Sequence, residues 1–301
     1  MSMTLSIVVN YFNPRQNPRV LSMTALALHH LNDYTTLSRE VLLVDGSGQF
    51  CEHLRHVCHA LGFRYLPAEQ RETFAQSYNR GAANSSGEFI VLMANDILVQ
   101  PEWDVHMVRE LRRTGAMMAA PYLSVSDYYT QVRGRPFRHA TFCPSFMTFN
   151  LNVLTRECWA KVGPMDERFS GCFNDIDYLL RIRDIGGEAI ICDAGDIQHL
   201  GRATRRAFTT VDDDDDRKVF YEKYPHFPRG LRFDGTEPIL CRSRLYRALL
   251  RATYVFKNPA RSRQLRELIA RFEPLLHRFD RLHKRPTPAE PAPAPALAAA
   301  T

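Results

Sequence analysis

The chain begins with an apolar run, LSIVVNYF, that turns polar at Asn10. An uninterrupted run of this length, with no helical period, predicts a buried strand. A second run, EVLLVDGSG, closes on Asp45, Gly46 and Gly48; FRYLP is a short third. The fourth, residues 89–93, changes character within two residues, because Asn95 and Asp96 follow it at once. Between these runs the apolar spacing lengthens to that of helices. Pro18 starts one whose apolar side carries Val20, Leu21, Ala25, Leu28 and Leu31, with Asn17 as its N-cap. QFCEHLRHVCHALG reads as a helix stopped by Gly62, TFAQSYNRGAANSSG as one running to Gly87, and Pro101 as the opening of another. Strands alternating with helices predict an α/β fold, an open, mostly parallel sheet flanked by helices.

The middle of the chain is less regular. GAMMAAPYL and ATFCPSFMTFNL look like strands, and a short helix follows with Thr155 as N-cap and Glu157 in its first turn. NDIDYLLRIRDIGG is a helix with Ile176, Leu179, Leu180 and Ile182 on its apolar face, ending at Gly186, and EAIIC returns as a strand. From Arg242 a new pattern sets in: Leu265, Leu268, Ile269, Phe272, Leu275, Leu276, Phe279 and Leu282 form one helical stripe flanked by arginines, interrupted at Pro274. The organisation predicted is a catalytic-sized domain over residues 1–241, a basic amphipathic helical extension over 242–285, and a Pro/Ala-rich tail over 286–301 with nothing to bury.

Charge sharpens that division. The net charge of +6 is unevenly placed: residues 242–285 hold 13 Lys/Arg against 3 Asp/Glu, whereas residues 1–241 hold 26 against 29. The extension therefore faces either an anionic surface, such as the inner leaflet of a membrane, or the domain it folds over. Nucleic acid is not expected, because the aromatics lie within the apolar stripe and not on a stacking platform. Seven scattered cysteines without a C-x-x-C pair argue against a disulfide framework or a zinc site and fit a reducing cytosol. With no membrane-length apolar stretch and no leader-like N-terminus, the expectation is a cytoplasmic protein, peripheral at most.

Candidate chemistry collects at strand ends. In an open parallel sheet, ligands bind where loops leave the carboxyl ends of the strands. Asn10, Asp45 and Asp96 each stand at such an end. Asp175 and Asp177 come at a helix start, and His199 follows a strand just ahead of Arg202, Arg205 and Arg206. Carboxylate, imidazole and guanidinium together suit a divalent cation and a diphosphate. Each residue also has a plainer reading: turn formation for Asp45 and Asp96, capping for Asp175, a hydrogen-bonded structural role for His199. Asn174 is expected to cap its helix, Asp177 to support the first turn, and Asp175 to face the cleft. The run VDDDDDRK reads as a solvated acidic loop ahead of a helix, not a metal site.

These stretches resemble, in order, the inverting glycosyltransferases of the GT-A fold, family 2, over roughly residues 4–210. SIVVNYFNP stands where that family has its first strand and turn, and LLVDGSG resembles its VVDDGS. YNRGAANSSGEFIVLMANDILVQPEW resembles the run ending in the DxD metal motif. VGPMDERFSGCFNDIDYLLRIRDIGG and HLGRA resemble the later GGFDERF, EDVDL and His-Leu-Gly segments. The resemblance implies a GT-A fold, a nucleotide-sugar donor, and a glycan or lipid-linked acceptor in surface-polysaccharide synthesis. It implies Asp175 as catalytic base, Asn10, Phe12, Asp45, Arg202, Arg205 and Arg206 as donor contacts, and Asp96 with His199 around Mn or Mg. Ala94 replaces the first aspartate of DxD and Asn174 replaces the usual Glu. The metal site thus leans on one carboxylate, and a catalytically silent GT-A scaffold is the alternative. A sugar-phosphate nucleotidyltransferase would need a Gly-rich phosphate loop near the N-terminus, which is missing.

Overall fold

The structure, a computed structural model, describes residues 4–123, 141–142, 149–187, 189–200 and 213–225. Arg202, Arg205, Arg206 and the expected extension and tail lie outside these. Four strands, β1 (Leu5–Tyr11), β2 (Arg39–Asp45), β3 (Arg64–Pro67) and β4 (Phe89–Ala94), pair in parallel in the order β3-β2-β1-β4. The crossovers between them are α1 (Pro18–Tyr34), α2 (Glu52–Ala60) and α3 (Phe74–Ala83). Past β4 the sheet becomes mixed. β5 (Ile97–Leu98), α4 (Trp103–Thr114), β6 (Met118–Leu123), β7 (Thr141–Phe142) and β8 (Leu151–Thr155) come first. Helices α5 (Arg156–Val162) and α6 (Asn174–Asp184), strand β9 (Ala189–His199) and α7 (Asp213–Lys223) complete the described order. β8 lies antiparallel between β4 and β6, while β6 and β9 run parallel. β5 and β7 each join β9 antiparallel.

Strand alternation sends side chains to two faces. Leu5, Ile7, Val9 and Tyr11 of β1 pack with Val20, Leu28 and Leu31 of α1, Leu54 of α2 and Trp103 and Met107 of α4. Val8, Leu42, Val44, Ile90 and Leu92 face the other way, toward Tyr78 of α3, Cys158 of α5, Ile176 and Leu179 of α6 and Phe220 of α7. Helices on both faces of the sheet are the α/β arrangement expected.

Local chemistry sets most boundaries. Asn17 accepts from Arg19 N–H with Pro18 at the first helical position, and Thr155 accepts from Cys158 N–H, both as expected. Thr73 and Gln76 form a reciprocal capping box at the start of α3. Three expectations are corrected. α3 stops at Ala83, short of Gly87, because residue 87 lies against β1, where an added Cβ would sit 2.7 Å from the Leu5 carbonyl carbon and Ser6 N. α4 starts at Trp103, not Pro101, after Glu102 turns into the left-handed region (φ 63°). The strand expected at EAIIC extends to His199 with a break at Gly195 (φ 86°).

Candidate active site

The parallel register aligns the strand ends. Asn10 is opposite both Val44 and Ala94, and Tyr11 is opposite Asp45, so Asn10, Asp45 and Asp96 leave the sheet along one edge. Asn10 and Phe12 are both partly exposed there. Asp45 is only 1% exposed. Its Oδ1 accepts from Ser47 N–H (2.9 Å) and its Oδ2 from the Tyr65 hydroxyl (2.6 Å). Burial pushes its carboxyl upward, against those bonds, which lower it. Ser47 Oγ in turn accepts from Asn13 N–H (2.8 Å), so Asp45 fixes the turn between the ends of β1 and β2. Behind it, Arg80 binds the Glu72 carboxylate through Nε (2.7 Å) and Nη2 (2.9 Å). The same guanidinium donates to the carbonyls of Leu66 and Asp45, tying the loop after β3 to the end of β2.

Asp96 meets His199. The two-residue strand β5 pairs with the end of β9, setting Ile97 opposite His199. Leu200 N–H donates to the Asp96 carbonyl (2.9 Å), and His199 Nε2 lies 3.3 Å from Asp96 Oδ2. The other imidazole nitrogen, Nδ1, is buried without a hydrogen-bond partner among the described residues. A carboxylate oxygen 3.3 Å from an imidazole nitrogen fits a divalent cation that brings further ligands with it. No cluster of three or more His, Cys, Asp or Glu able to hold a metal exists among the described residues, so oxygens of a diphosphate and water would complete the shell.

Asp175 opens α6 on the second face. Burial pushes its carboxyl up to about 7, opposed by hydrogen bonds from the N–H groups of Ile176 (2.9 Å) and of Asp175 itself. Asp177, two residues on, points elsewhere: its oxygens take Arg181 Nε (3.0 Å), Lys223 Nζ (2.6 Å) and the Tyr224 hydroxyl (2.8 Å). The expected capping roles are corrected here. Asn174 makes no cap, since both of its amide atoms are buried without partners among the described residues. Asp177 is spent on an ionic contact with α7, because a 1% exposed carboxylate needs full hydrogen bonding.

The acidic run is corrected as well. Asp214 and Asp215 are exposed and pair with Arg217 and Lys218, but Asp216 is buried and accepts from residues 170–172. These aspartates lie within α7, where every fourth position returns to the packed face.

Two more polar groups escape a reading of the sequence. Tyr78 of α3 is fully buried, its hydroxyl without a partner among the described residues; burial, then the charge of Asp96, hold its phenol well above the usual range. Asn152 is fully buried in β8 opposite Leu92, with both amide atoms unpartnered among the described residues. Its signal was present as the second of two asparagines, Asn150 and Asn152, inside the apolar run FNLNVLT.

The sequence profile of Glycosyl transferase family 2 matches residues 6–165. No curated protein matches the chain. Among solved structures, GalNAc-T7 with UDP, GalNAc and Mn2+ superposes with TM-score 0.54 at 15% identity, covering 66% of this chain and 44% of its own. The mannosyltransferase PcManGT from Pyrobaculum calidifontis, in complex with GDP-Man and Mn2+, gives 0.51 at 13% identity over 94% of this chain and 70% of its own. TarS of S. aureus gives 0.52 at 12% identity over 88% and 55%. The chain thus spans less than half of GalNAc-T7 and little more than half of TarS. At these identities the likeness establishes a shared fold, that of GT-A glycosyltransferases.

Proposed function

From a chain that belongs to glycosyl transferase family 2, we infer an enzyme that moves a sugar, with inversion, from a nucleoside-diphosphate-sugar to a hydroxyl of a glycan or lipid-linked acceptor. The observation that carries this reading is Asp175, a carboxyl that burial by the surrounding protein raises to about 7 and whose hydrogen-bond partners among the described residues are main-chain N–H groups. A base with that affinity for a proton, yet ionised just above neutrality, suits abstraction from an alcohol. In the reaction the acceptor oxygen bonds to the anomeric carbon as its proton passes to an Asp175 oxygen. The bond from that carbon to phosphate oxygen breaks, and its electron pair leaves with the nucleoside diphosphate.

Asp96 and His199 would hold a divalent cation, Mn or Mg, whose chemistry is to neutralise the departing diphosphate. Arg202, Arg205 and Arg206 follow His199 closely in the chain and are assigned to the same phosphates. Asn10 and Phe12 take the nucleoside at the end of β1, Phe12 offering a ring for stacking. Asp45 serves the nucleoside through the turn it fixes with Ser47 and Tyr65. The extension at 242–285 is assigned to the anionic inner face of the cytoplasmic membrane, close to lipid-linked acceptors for surface polysaccharide. No helix among the described residues is long and apolar enough to cross a membrane.

The test is a panel of nucleotide-sugars offered to the wild type and to Asp175→Asn. Turnover should fall by about 10³-fold in the variant while donor binding stays within about twofold. Undiminished turnover in Asp175→Asn would remove the base. A wild type that neither binds nor turns over any donor would favour the silent scaffold, to which Ala94 and Asn174 point.

A further inference from the structure

Helix α7 meets the approach to α6 along one stripe. Asp216, Phe220, Lys223 and Tyr224 fall at helical spacing on a single face. The Asp216 carboxylate, 1% exposed, accepts from three successive main-chain N–H groups: Ser170 (2.7 Å), Gly171 (3.0 Å) and Cys172 (2.6 Å). It also accepts from the Ser170 hydroxyl (3.0 Å). Phe220 is buried against Phe173, ring centroids 5.0 Å apart. Lys223 and Tyr224 close on Asp177, and Lys223 also reaches Asp166 (2.8 Å). Between these contacts lies Phe173, in the left-handed region (φ 64°), from which the chain enters α6. A non-glycine residue holds that conformation where its surroundings over-determine it.

No cation pairs with Asp216 among the described residues. This matters, because a salt bridge can be met in many geometries, whereas three consecutive N–H groups converge on one carboxylate only when the loop has one shape. Charge-assisted bonds to N–H groups are also about twice as strong as neutral ones. We propose that Asp216 is a positioning residue for sugar transfer: by gathering the N–H groups of residues 170–172 it sets the turn at Phe173, the start of α6, and so the place of the Asp175 carboxylate. The proposal rests on the reading of Asp175 as the base. The stripe acts as a splint, anchored before the turn by Asp216 and after it by Lys223 and Tyr224.

The charged and titratable groups in this arrangement are Asp177 and Arg181 on α6, Asp216 and Lys223 on α7 with Tyr224 just beyond it, and Asp166, Arg168 and Cys172 in the loop before α6. Among the described residues none of them shifts Asp175 by its charge; protein crowding does, and crowding depends on where the turn sits. Loosening the turn should admit water and return the Asp175 carboxyl toward its ordinary range.

The experiment compares wild type, Asp216→Asn and Asp175→Asn, all full chains. It measures kcat and donor KM across pH, and titrates the Asp175 carboxyl directly by carbon NMR, assigned through its absence in Asp175→Asn. Asp216→Asn keeps size but offers an amide NH2 to main-chain donors. We expect kcat down by about 10- to 100-fold, as displaced catalytic groups give, with donor KM within about twofold. The acid limb and the NMR titration of Asp175 should both move down by at least about one pH unit. A variant that melts earlier but leaves the Asp175 titration and acid limb where the wild type has them would overturn the proposal and reduce Asp216 to a structural acid. If Asp216→Asn does not fold, Ser170→Ala removes one of the four bonds; a smaller downward move of the titration supports the proposal, and an unmoved titration overturns it. Full activity in Asp175→Asn would instead sink the base assignment, and the NMR titration would still decide whether Asp216 places that carboxyl.

Discussion

Asp175 and Asp177 are the same residue type two positions apart, and their surroundings give them opposite tasks. Asp177 is paired on every side, whereas Asp175 stays partly exposed and, among the described residues, is supported only by main-chain N–H groups. This has a consequence for stability with a definite sign. The Asp175 pKa of about 7 in the folded chain lies above the value near 4 of an unfolded chain. The folded state therefore holds its proton more tightly, and the contribution present at pH 4 is lost as pH rises through 7. Asp175→Asn should thus be no more stable than wild type at pH 4 but more stable at pH 8.5, by up to about 4 kcal/mol, in urea melts at the two pH values. The two aspartates were legible as a helix start. Their different directions were expected too, but the partners of Asp177 were not, because Lys223 and Tyr224 come from the end of α7 and just beyond it, more than 40 residues downstream.

At the scale of elements, α3 shows how a helix is seated so that strand ends line up. Gly81 rests on the sheet: an added Cβ would lie 2.2 Å from Val8 Cγ1 and 2.9 Å from Val44 Cγ2. Both are β-branched, fully buried side chains and have little room to yield. Gly81→Ala should therefore cost about 1–3 kcal/mol despite the better helix propensity of alanine, and lower the melting temperature. An unchanged or raised melting temperature would show that α3 can lift off β1 and β2 freely. The main elements, β1–β4 and α1–α3, were readable from apolar spacing, because a full-length buried strand or a three-turn amphipathic helix leaves a long periodic trace. β5 left none. Two residues carry no period, and yet their pairing with β9 brings Asp96 to His199.

For the whole molecule, the division of charge is the strongest feature beyond the sheet and its helices. Residues 242–285 concentrate the basic side chains while the preceding 241 residues are slightly acidic. Each Lys or Arg near an anionic bilayer contributes about 1 kcal/mol, an attraction that fades over a Debye length. The full chain should bind vesicles rich in phosphatidylglycerol at low salt, lose most of that binding at about 0.5 M salt, and lose it at low salt when residues 242–301 are removed. Sedimentation with vesicles reads all three; equal binding by the shortened chain would refute the membrane assignment.

What the amino-acid order alone determined was the class of fold and the alignment of Asn10, Asp45 and Asp96 along one sheet edge. Apolar period, proline, glycine and capping residues act within a few positions, so they are written locally. What only the tertiary structure decided was which groups those residues meet: His199 for Asp96, Ser47 and Tyr65 for Asp45, and the N–H groups of residues 170–172 for Asp216. Such meetings depend on strand register and helix packing between distant segments. Their energies come from burial and from the need to satisfy every buried polar group, which no short window of sequence contains.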